Sequence, residues 1–189
     1  MILEAVFADR DGVINEEVEF LSDPADLRLI PNAAKAIRAL NEKKIPVIVV
    51  TNQSGIARGY YSESEVDVLH EALSNELLKN GAHIDRFYYC PHHKDGKGKY
   101  AIDCNCRKPL PGMLQKVAKD FNLDLSKCAM VGDKASDIGA GNAVGCQTVL
   151  VMTGYGKKNW SSWKETFRPS FIAQDLSEAV SWLLKESAI

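Results

Sequence analysis

No apolar run in these 189 residues approaches the roughly 20 needed to cross a bilayer. The opening MILEAVFADRDG lacks the basic flank, long apolar stretch and small-residue cleavage site of a signal peptide, so the cytoplasm is the expected compartment. Neither charge sign dominates. With 23 Lys and Arg against 25 Asp and Glu, a formal net charge of −2 gives no global pull toward nucleic acid or an anionic membrane. Internal repeats, low-complexity tracts and interdomain linkers are absent too. The five cysteines are an odd number, and Cys90, Cys104 and Cys106 crowd into one segment. In a reducing compartment such crowding argues for metal over disulfides, while Cys128 and Cys146, in apolar contexts, read as core residues.

What is present is the balance of a soluble globular chain with a sizeable core, 46% hydrophobic and 25% charged. The length suits one domain, residues 1–189, better than two. With no nucleic acid and no membrane expected, a small molecule is the natural partner, and a monomer the expected state.

Strand and helix signals alternate along the chain. Leu3–Ala8 is an apolar run that stops at Asp9-Arg10-Asp11-Gly12. Asn32 stands as the cap of a helix with apolar residues at Ala33, Ala36, Ile37 and Leu40. Pro46–Val50 is apolar throughout, as in a strand buried on both faces, and leads into Thr51-Asn52-Gln53-Ser54. Ser62 and Glu65 form a capping-box signal for a helix to about Lys79. A short strand at Phe87–Tyr89, an irregular stretch from Cys90 to Arg107 and a helix after Pro111-Gly112 follow. Next come a strand at Cys128–Val131, a helix through Ile138–Val144 and a strand at Gln147–Met152, then an edge strand at Phe171–Ala173 and a closing helix over Leu176–Glu186. The pattern predicts an α/β fold: a Rossmann-like three-layer sandwich with a mostly parallel sheet and right-handed crossovers. Ligands of such sheets bind beyond the carboxyl ends of the strands, which is where the polar clusters fall.

Each cluster suits phosphoryl chemistry, although each alone also fits a solvated turn or a helix cap. Asp9 and Asp11, two residues apart after a buried strand, set like charges close together, and Mg²⁺ would neutralise them. Asp9 could then attack phosphorus while Asp11 exchanges protons. Thr51 and the backbone beyond it could cradle phosphate oxygens. Arg107 and Lys108 bring positive charge, Asp133 an acid for a magnesium site and Asp137 support one helical turn later.

Taken together, DxDG, a strand-end Thr, Lys-Pro and GDxxxD resemble the four motifs of the haloacid-dehalogenase-like phosphohydrolase superfamily, from Phe7 to about Thr153. The resemblance implies Asp9 as nucleophile, Asp11 as general acid and base, and Thr51 and Lys108 on the phosphoryl oxygens. It implies Mg²⁺ on the Asp9 carboxylate, the Asp11 carbonyl and the Asp133 carboxylate. Asn52, Gln53, Ser54, Arg107 and Lys134 complete the expected substrate contacts. TNQSGIARG, YYCPHH and CNCRKPLPGM are similar to the branch that hydrolyses heptose bisphosphate or histidinol phosphate. Ala8 departs from that branch, which commonly has a larger apolar residue there. The leading expectation is removal of the C7 phosphate of a heptose bisphosphate on the way to activated heptose. Histidinol phosphate is the alternative, kept alive by Glu16, Glu17 and Glu19, and a catalytically dead zinc-stabilised binding protein is the alternative of another class.

Cys90-Pro91-His92-His93 and Cys104-Asn105-Cys106 offer three thiolates and an imidazole to a tetrahedral zinc. The same branch implies Cys90, His92, Cys104 and Cys106 as the ligands, with His93 a bystander. A structural Zn²⁺ would replace the missing core of the loop over about residues 90–107 and fix Arg107 and Lys108 behind it. No large cap domain is inserted, so residues 13–24 and this loop are left to shape the pocket.

Overall fold

A computed structural model gives the structure of residues 2–163 and 167–187. The first apolar run forms β1 (Ala5–Ala8), and an irregular segment leads to α1 (Ala33–Glu42). Then come β2 (Val47–Asn52), the five-residue α2 (Ser54–Arg58), α3 (Glu63–Lys79) and β3 (Arg86–Cys90). Past the long loop lie α4 (Gly112–Phe121), β4 (Cys128–Gly132), α5 (Ala135–Asn142), β5 (Gln147–Val151), α6 (Gly156–Trp163), β6 (Phe171–Ala173) and α7 (Leu176–Glu186).

Among the described residues the strands form one six-stranded sheet in the order β3-β2-β1-β4-β5-β6. Expected to be mostly parallel, it is parallel at every pairing. The chain runs outward from β1 to β3, then returns beside β1 with β4 and runs outward the other way. The switch point therefore lies between the ends of β1 and β4, where open α/β sheets leave a crevice.

Successive strand residues face opposite ways, which divides the interior in two. Val6, Ala8, Val47, Val49, Ala129 and Val131 pack with Ile37 and Leu40 of α1 and Val180 and Leu183 of α7. Ala5, Phe7, Ile48, Val50, Cys128 and Met130 pack with Met113, Leu114 and Val117 of α4. Apolar side chains at both strand parities cover both faces and give the expected three layers. Cys128 and Cys146 lie in the second core, as read from their contexts.

The start of α3 carries the expected capping box: Ser62 Oγ accepts the Glu65 N–H, and Glu65 Oε2 accepts the Ser62 N–H. Asn32 is a correction. It sits at the N-cap of α1, but with φ 65° its backbone is left-handed and its side chain makes no capping bond. Asn tolerates that conformation better than most residues, so turn geometry, not a side-chain cap, explains its place. Among the described residues no helix is long and apolar enough to cross a membrane.

Candidate active site

The ends of β1, β2 and β4 converge as the alternation predicts. Asp9 follows β1, Thr51 is the second-last residue of β2, and Asp133 follows β4; all three are buried. The carboxylates of Asp9, Asp133 and Asp137 can approach within 4.8 Å of one another. Lys108 reaches them from the end of the long loop. Its Nζ lies 2.6 Å from Asp137 Oδ1 and 3.3 Å from Asp9 Oδ1, and it donates to the Val50 carbonyl at 2.6 Å. Asn52 holds the backbone of Lys108 from both sides, Nδ2 donating to its carbonyl at 3.0 Å and Oδ1 accepting its N–H at 3.1 Å.

Two acids of this cluster respond to burial differently. For Asp9 burial is the largest influence and works against ionisation. The charges of Lys108 and Lys134, with hydrogen bonds from the Thr51 hydroxyl and the Arg10 N–H, outweigh it and hold the carboxyl below its ordinary range. For Asp133 burial prevails. With repulsion from Asp137 and Asp9 added, and Lys134 opposing, its pKa is pushed up to about 8. Asp133 Oδ2 accepts the Tyr155 N–H at 2.8 Å, whereas Oδ1 has no hydrogen-bond partner among the described residues. A buried acid cluster in which Asp133 Oδ1 has only the Lys134 ammonium, 3.7 Å away, to balance it has the chemistry of a hard divalent-cation site, and a bound cation would favour the ionised form.

Glycines make that approach possible. Gly12 (φ +83°) and Gly154 (φ +53°) both face the Asp133 carboxylate, and a Cβ on either would collide with it.

Asp11 turns away from the cluster. Its Oδ1 accepts from Arg10 Nε at 3.1 Å and Asn15 Nδ2 at 2.9 Å, and its Oδ2 from Arg10 Nη2 at 2.9 Å and Gln53 Nε2 at 3.1 Å. Any share in holding a cation thus falls to its backbone carbonyl. Asp11 also borders a cavity of about 360 Å³, walled by residues 17–21, residues 52–54, Tyr61, Lys108, Lys134 and Arg107. The segment expected to shape the pocket does so. Lys134 pairs with Glu17 at 2.9 Å and lies 5.0 Å from the Tyr155 ring centre. Burial of Glu17, opposed by Lys134, raises its pKa.

The second expected site is as compact. Cys106 Sγ lies 3.2 Å from Cys90 Sγ, 3.1 Å from Cys104 Sγ and 3.4 Å from His92 Nδ1. Cys90 Sγ is 3.5 Å from Cys104 Sγ and 3.9 Å from His92 Nδ1. A disulfide would need about 2.05 Å. Four donors around a zinc at about 2.3 Å for sulfur and about 2.05 Å for nitrogen stand about 3.8 Å apart between sulfurs and about 3.6 Å between sulfur and nitrogen. The four groups are thus close to the corners of such a site. His93 is turned elsewhere: its Nδ1 accepts the Asp95 N–H at 3.1 Å and its Nε2 is 3.3 Å from Arg58 Nη2.

The expected catalytic, substrate and metal residues lie in or beside these two centres, in differing environments, and of the three glutamates Glu17 and Glu19 border the cavity and Glu16 does not. Ser54 and Arg107 border the cavity, and Arg107 Nη1 also donates to the His92 carbonyl at 3.2 Å. Gln53 is buried with both ends of its amide bonded inward. Asp137, expected to support a metal ligand, meets Lys108 and accepts the Lys134 N–H. Sequence reasoning passed over Arg10, Tyr61 and Tyr155. Only Arg10 left a signal, a cation set between two acids just after a buried strand.

Comparison with known proteins fits this geometry. A haloacid dehalogenase-like hydrolase family matches residues 6–88 and a HAD-hydrolase-like family residues 105–179. The D-glycero-D-manno-heptose-1,7-bisphosphate 7-phosphatase of Thermosynechococcus vestitus is 43% identical over 185 residues, 95% of this chain and 94% of that protein. The D-glycero-beta-D-manno-heptose-1,7-bisphosphate 7-phosphatase of Pasteurella multocida is 43% identical over 152 residues, 80% of this chain and 83% of that protein. The crystal structure of D,D-heptose 1,7-bisphosphate phosphatase from B. bronchiseptica, complexed with magnesium and phosphate, matches with a TM-score of 0.87 and 32% identity, covering 96% of this chain and 99% of that one. On a likeness that spans nearly the whole chain and a parallel sheet with its acids at the switch point, the chain belongs to the haloacid dehalogenase-like hydrolases and is one of their phosphatases.

Proposed function

We propose that this phosphatase removes the C7 phosphate of D-glycero-D-manno-heptose 1,7-bisphosphate through an aspartyl-phosphate on Asp9. The observation that carries the reading is the setting of Asp9, a buried carboxyl at the end of β1 with the Lys108 ammonium 3.3 Å away, a charge that with Lys134 favours the ionised, nucleophilic form. An Asp9 oxygen bonds to phosphorus as the bond to the sugar oxygen breaks, and Asp11 gives that oxygen its proton. Asp11 then takes a proton from the water that attacks the acyl phosphate, and orthophosphate leaves. Lys108 balances the charge that gathers on the phosphoryl oxygens, with Thr51 beside it.

Mg²⁺ would be held by the carboxylates of Asp9 and Asp133 and the carbonyl of Asp11, where it offsets negative charge on the phosphoryl group. Asp133 Oδ1, buried and without a hydrogen-bond partner among the described residues, supports that assignment. Zn²⁺ on Cys90, His92, Cys104 and Cys106 would be structural, since all four positions are taken by protein.

Heptose bisphosphate is favoured by the names of the relatives and by Arg107 at the cavity wall, a cation that suits a second phosphate. Histidinol phosphate remains the second reading because Glu17 and Glu19 also border the cavity. It is the weaker one, since Glu17 already pairs with Lys134 at 2.9 Å. Steady-state kcat/KM on the two purified substrates decides between them, and a higher value for histidinol phosphate would overturn the proposal.

A further inference from the structure

Arg10 is among the largest side chains in the protein with no exposure at all, and it stands between the two acids of the DRDG turn. Its guanidinium grips its own neighbour, Nε donating to Asp11 Oδ1 at 3.1 Å and Nη2 to Asp11 Oδ2 at 2.9 Å. Nη2 also reaches Gln53 Oε1 at 3.4 Å. Gln53 carries the contact onward: its Nε2 donates to Asp11 Oδ2 and to Thr51 Oγ1, both at 3.1 Å, and its Oε1 accepts the Tyr61 hydroxyl at 2.7 Å. The Asp11 carboxylate is thus bound by donors from the turn after β1 and from the end of β2, with Tyr61 bracing the second.

Stability alone does not account for this arginine. Burying a guanidinium is costly even when it is paired, and a well-packed apolar side chain of similar volume is often as stable or more so. Arg10 does not border the cavity, so it meets no substrate. What it does is hold the one acid of the pair that borders the cavity, while Asp9 lies deeper with a side chain 6% exposed. A planar fork suits this task, because two parallel donors fix a carboxylate in angle as well as in distance.

We propose that Arg10 is a positioning residue for proton transfer: its fork, braced by Gln53 and Tyr61, aims the Asp11 carboxyl at the oxygen that leaves phosphorus. The inference rests on the reading of Asp11 as the general acid. Gln53, expected from sequence to touch substrate, becomes part of the brace.

The test is kcat/KM over alkyl and aryl phosphates of graded leaving-group basicity, for the native protein, Arg10→Lys, Tyr61→Phe and Asp11→Asn. Arg10→Lys keeps a charge and loses the fork. Because a placed general acid is worth on the order of 10²–10⁴-fold, Arg10→Lys should lose about 30-fold or more on alkyl phosphates and less than about 3-fold on aryl phosphates. Tyr61→Phe, which deletes one hydroxyl, should lose less but in the same graded way. A loss that is uniform across the series, while Asp11→Asn still shows the gradient, overturns the positioning role and leaves the acid reading standing. No gradient in Asp11→Asn overturns the acid reading, and the inference with it. Thermal unfolding checks that each variant is folded. If Arg10→Lys is not, Tyr61→Phe decides alone, a graded loss supporting the inference and a uniform one refuting it.

Discussion

Replacing Lys108 by Met would separate what this lysine does for the fold from what it does for phosphate. The side chain is 1% exposed, and its ammonium is 2.6 Å from Asp137, 3.3 Å from Asp9 and bonded to the Val50 carbonyl. Methionine fills nearly the same space but strands two carboxyls in the interior. Breaking a buried pair from one side costs about 3–5 kcal/mol. The lower end is expected here, about 3 kcal/mol at neutral pH, because Asp137 can take up a proton instead. Burial already raises its pKa, and Lys108 is the main influence against that. A carboxyl whose folded pKa exceeds its unfolded value of 3.8 weakens the fold once ionised, and the penalty fades as the pH falls toward that value. The gap between Lys108→Met and the native protein, read from urea unfolding, should therefore narrow between about pH 7 and about pH 4. Adding Asp137→Asn removes the nearer of the two stranded carboxyls, leaving Asp9 with Lys134, and should restore most of the lost stability at pH 7, but none of the activity. If the double variant stays as unstable as the single one, Asp137 is not the group that Lys108 neutralises. If it regains activity, Lys108 has no part in balancing phosphoryl charge.

Three further outcomes follow from the same geometry. Asp133→Ala should raise the magnesium concentration for half-maximal activity at least about tenfold in a metal titration, and an unchanged requirement would remove Asp133 from the cation site. Metal analysis should find one zinc per chain in the native protein and none in Cys104→Ser, whose activity should fall while far-UV dichroism still reports the folded sheet; retention of zinc and full activity would make the loop independent of metal. His70 is buried 4.4 Å from Phe87 ring to ring, and burial, with the charge of Arg10, pulls its pKa down to about 3 from 6.5. The unfolded chain then binds the proton first, so native stability should fall below pH 6.5 by about 3 kcal/mol near pH 4, and His70→Phe should flatten that fall in thermal unfolding.

The fold was legible where burial alone sets the pattern. β1, β4 and β5 carry apolar residues on both faces, and their ends fall within a residue or two of where the apolar runs stop. β2 runs two residues past its apolar run, through Thr51 and Asn52, because β3 continues the ladder to the Asn52–Cys90 pair. α2 was missed because five residues give no helical period to read, and α6 because GKKNWSSW shows little apolar periodicity. At the site, the acids and the lysine were legible as residue types. Their arrangement was not: sequence order does not reveal that Asp11 turns toward Arg10, or that Asn52 and Gln53 spend their amides on Lys108 and Asp11. Such contacts depend on how the ends of β1 and β2 face one another across the sheet.

The long loop explains how a chain with no large inserted cap can still place Arg107 and Lys108. The proposed zinc would not be its only hold. The Lys97 N–H donates to the Ala57 carbonyl at 2.7 Å, and Arg58 meets His93, so the loop rests on α2, the helix that begins at Ser54 beside the phosphate cradle. Tyr89 donates to Glu63 at 3.0 Å and Tyr100 donates to the same carboxylate, which ties the loop to the first turn of α3. Asn52 then joins the end of β2 to the backbone of Lys108. The loop and the cradle thus share a common foundation. A zinc on Cys90, His92, Cys104 and Cys106, gathered within 17 residues, would fix the loop's internal shape, and the contacts to α2 and α3 fix where that shape sits. Loss of zinc should therefore blur the aim of Arg107 and Lys108 without releasing the loop from the sheet, which is why impaired activity in a folded protein is the expected signature of Cys104→Ser.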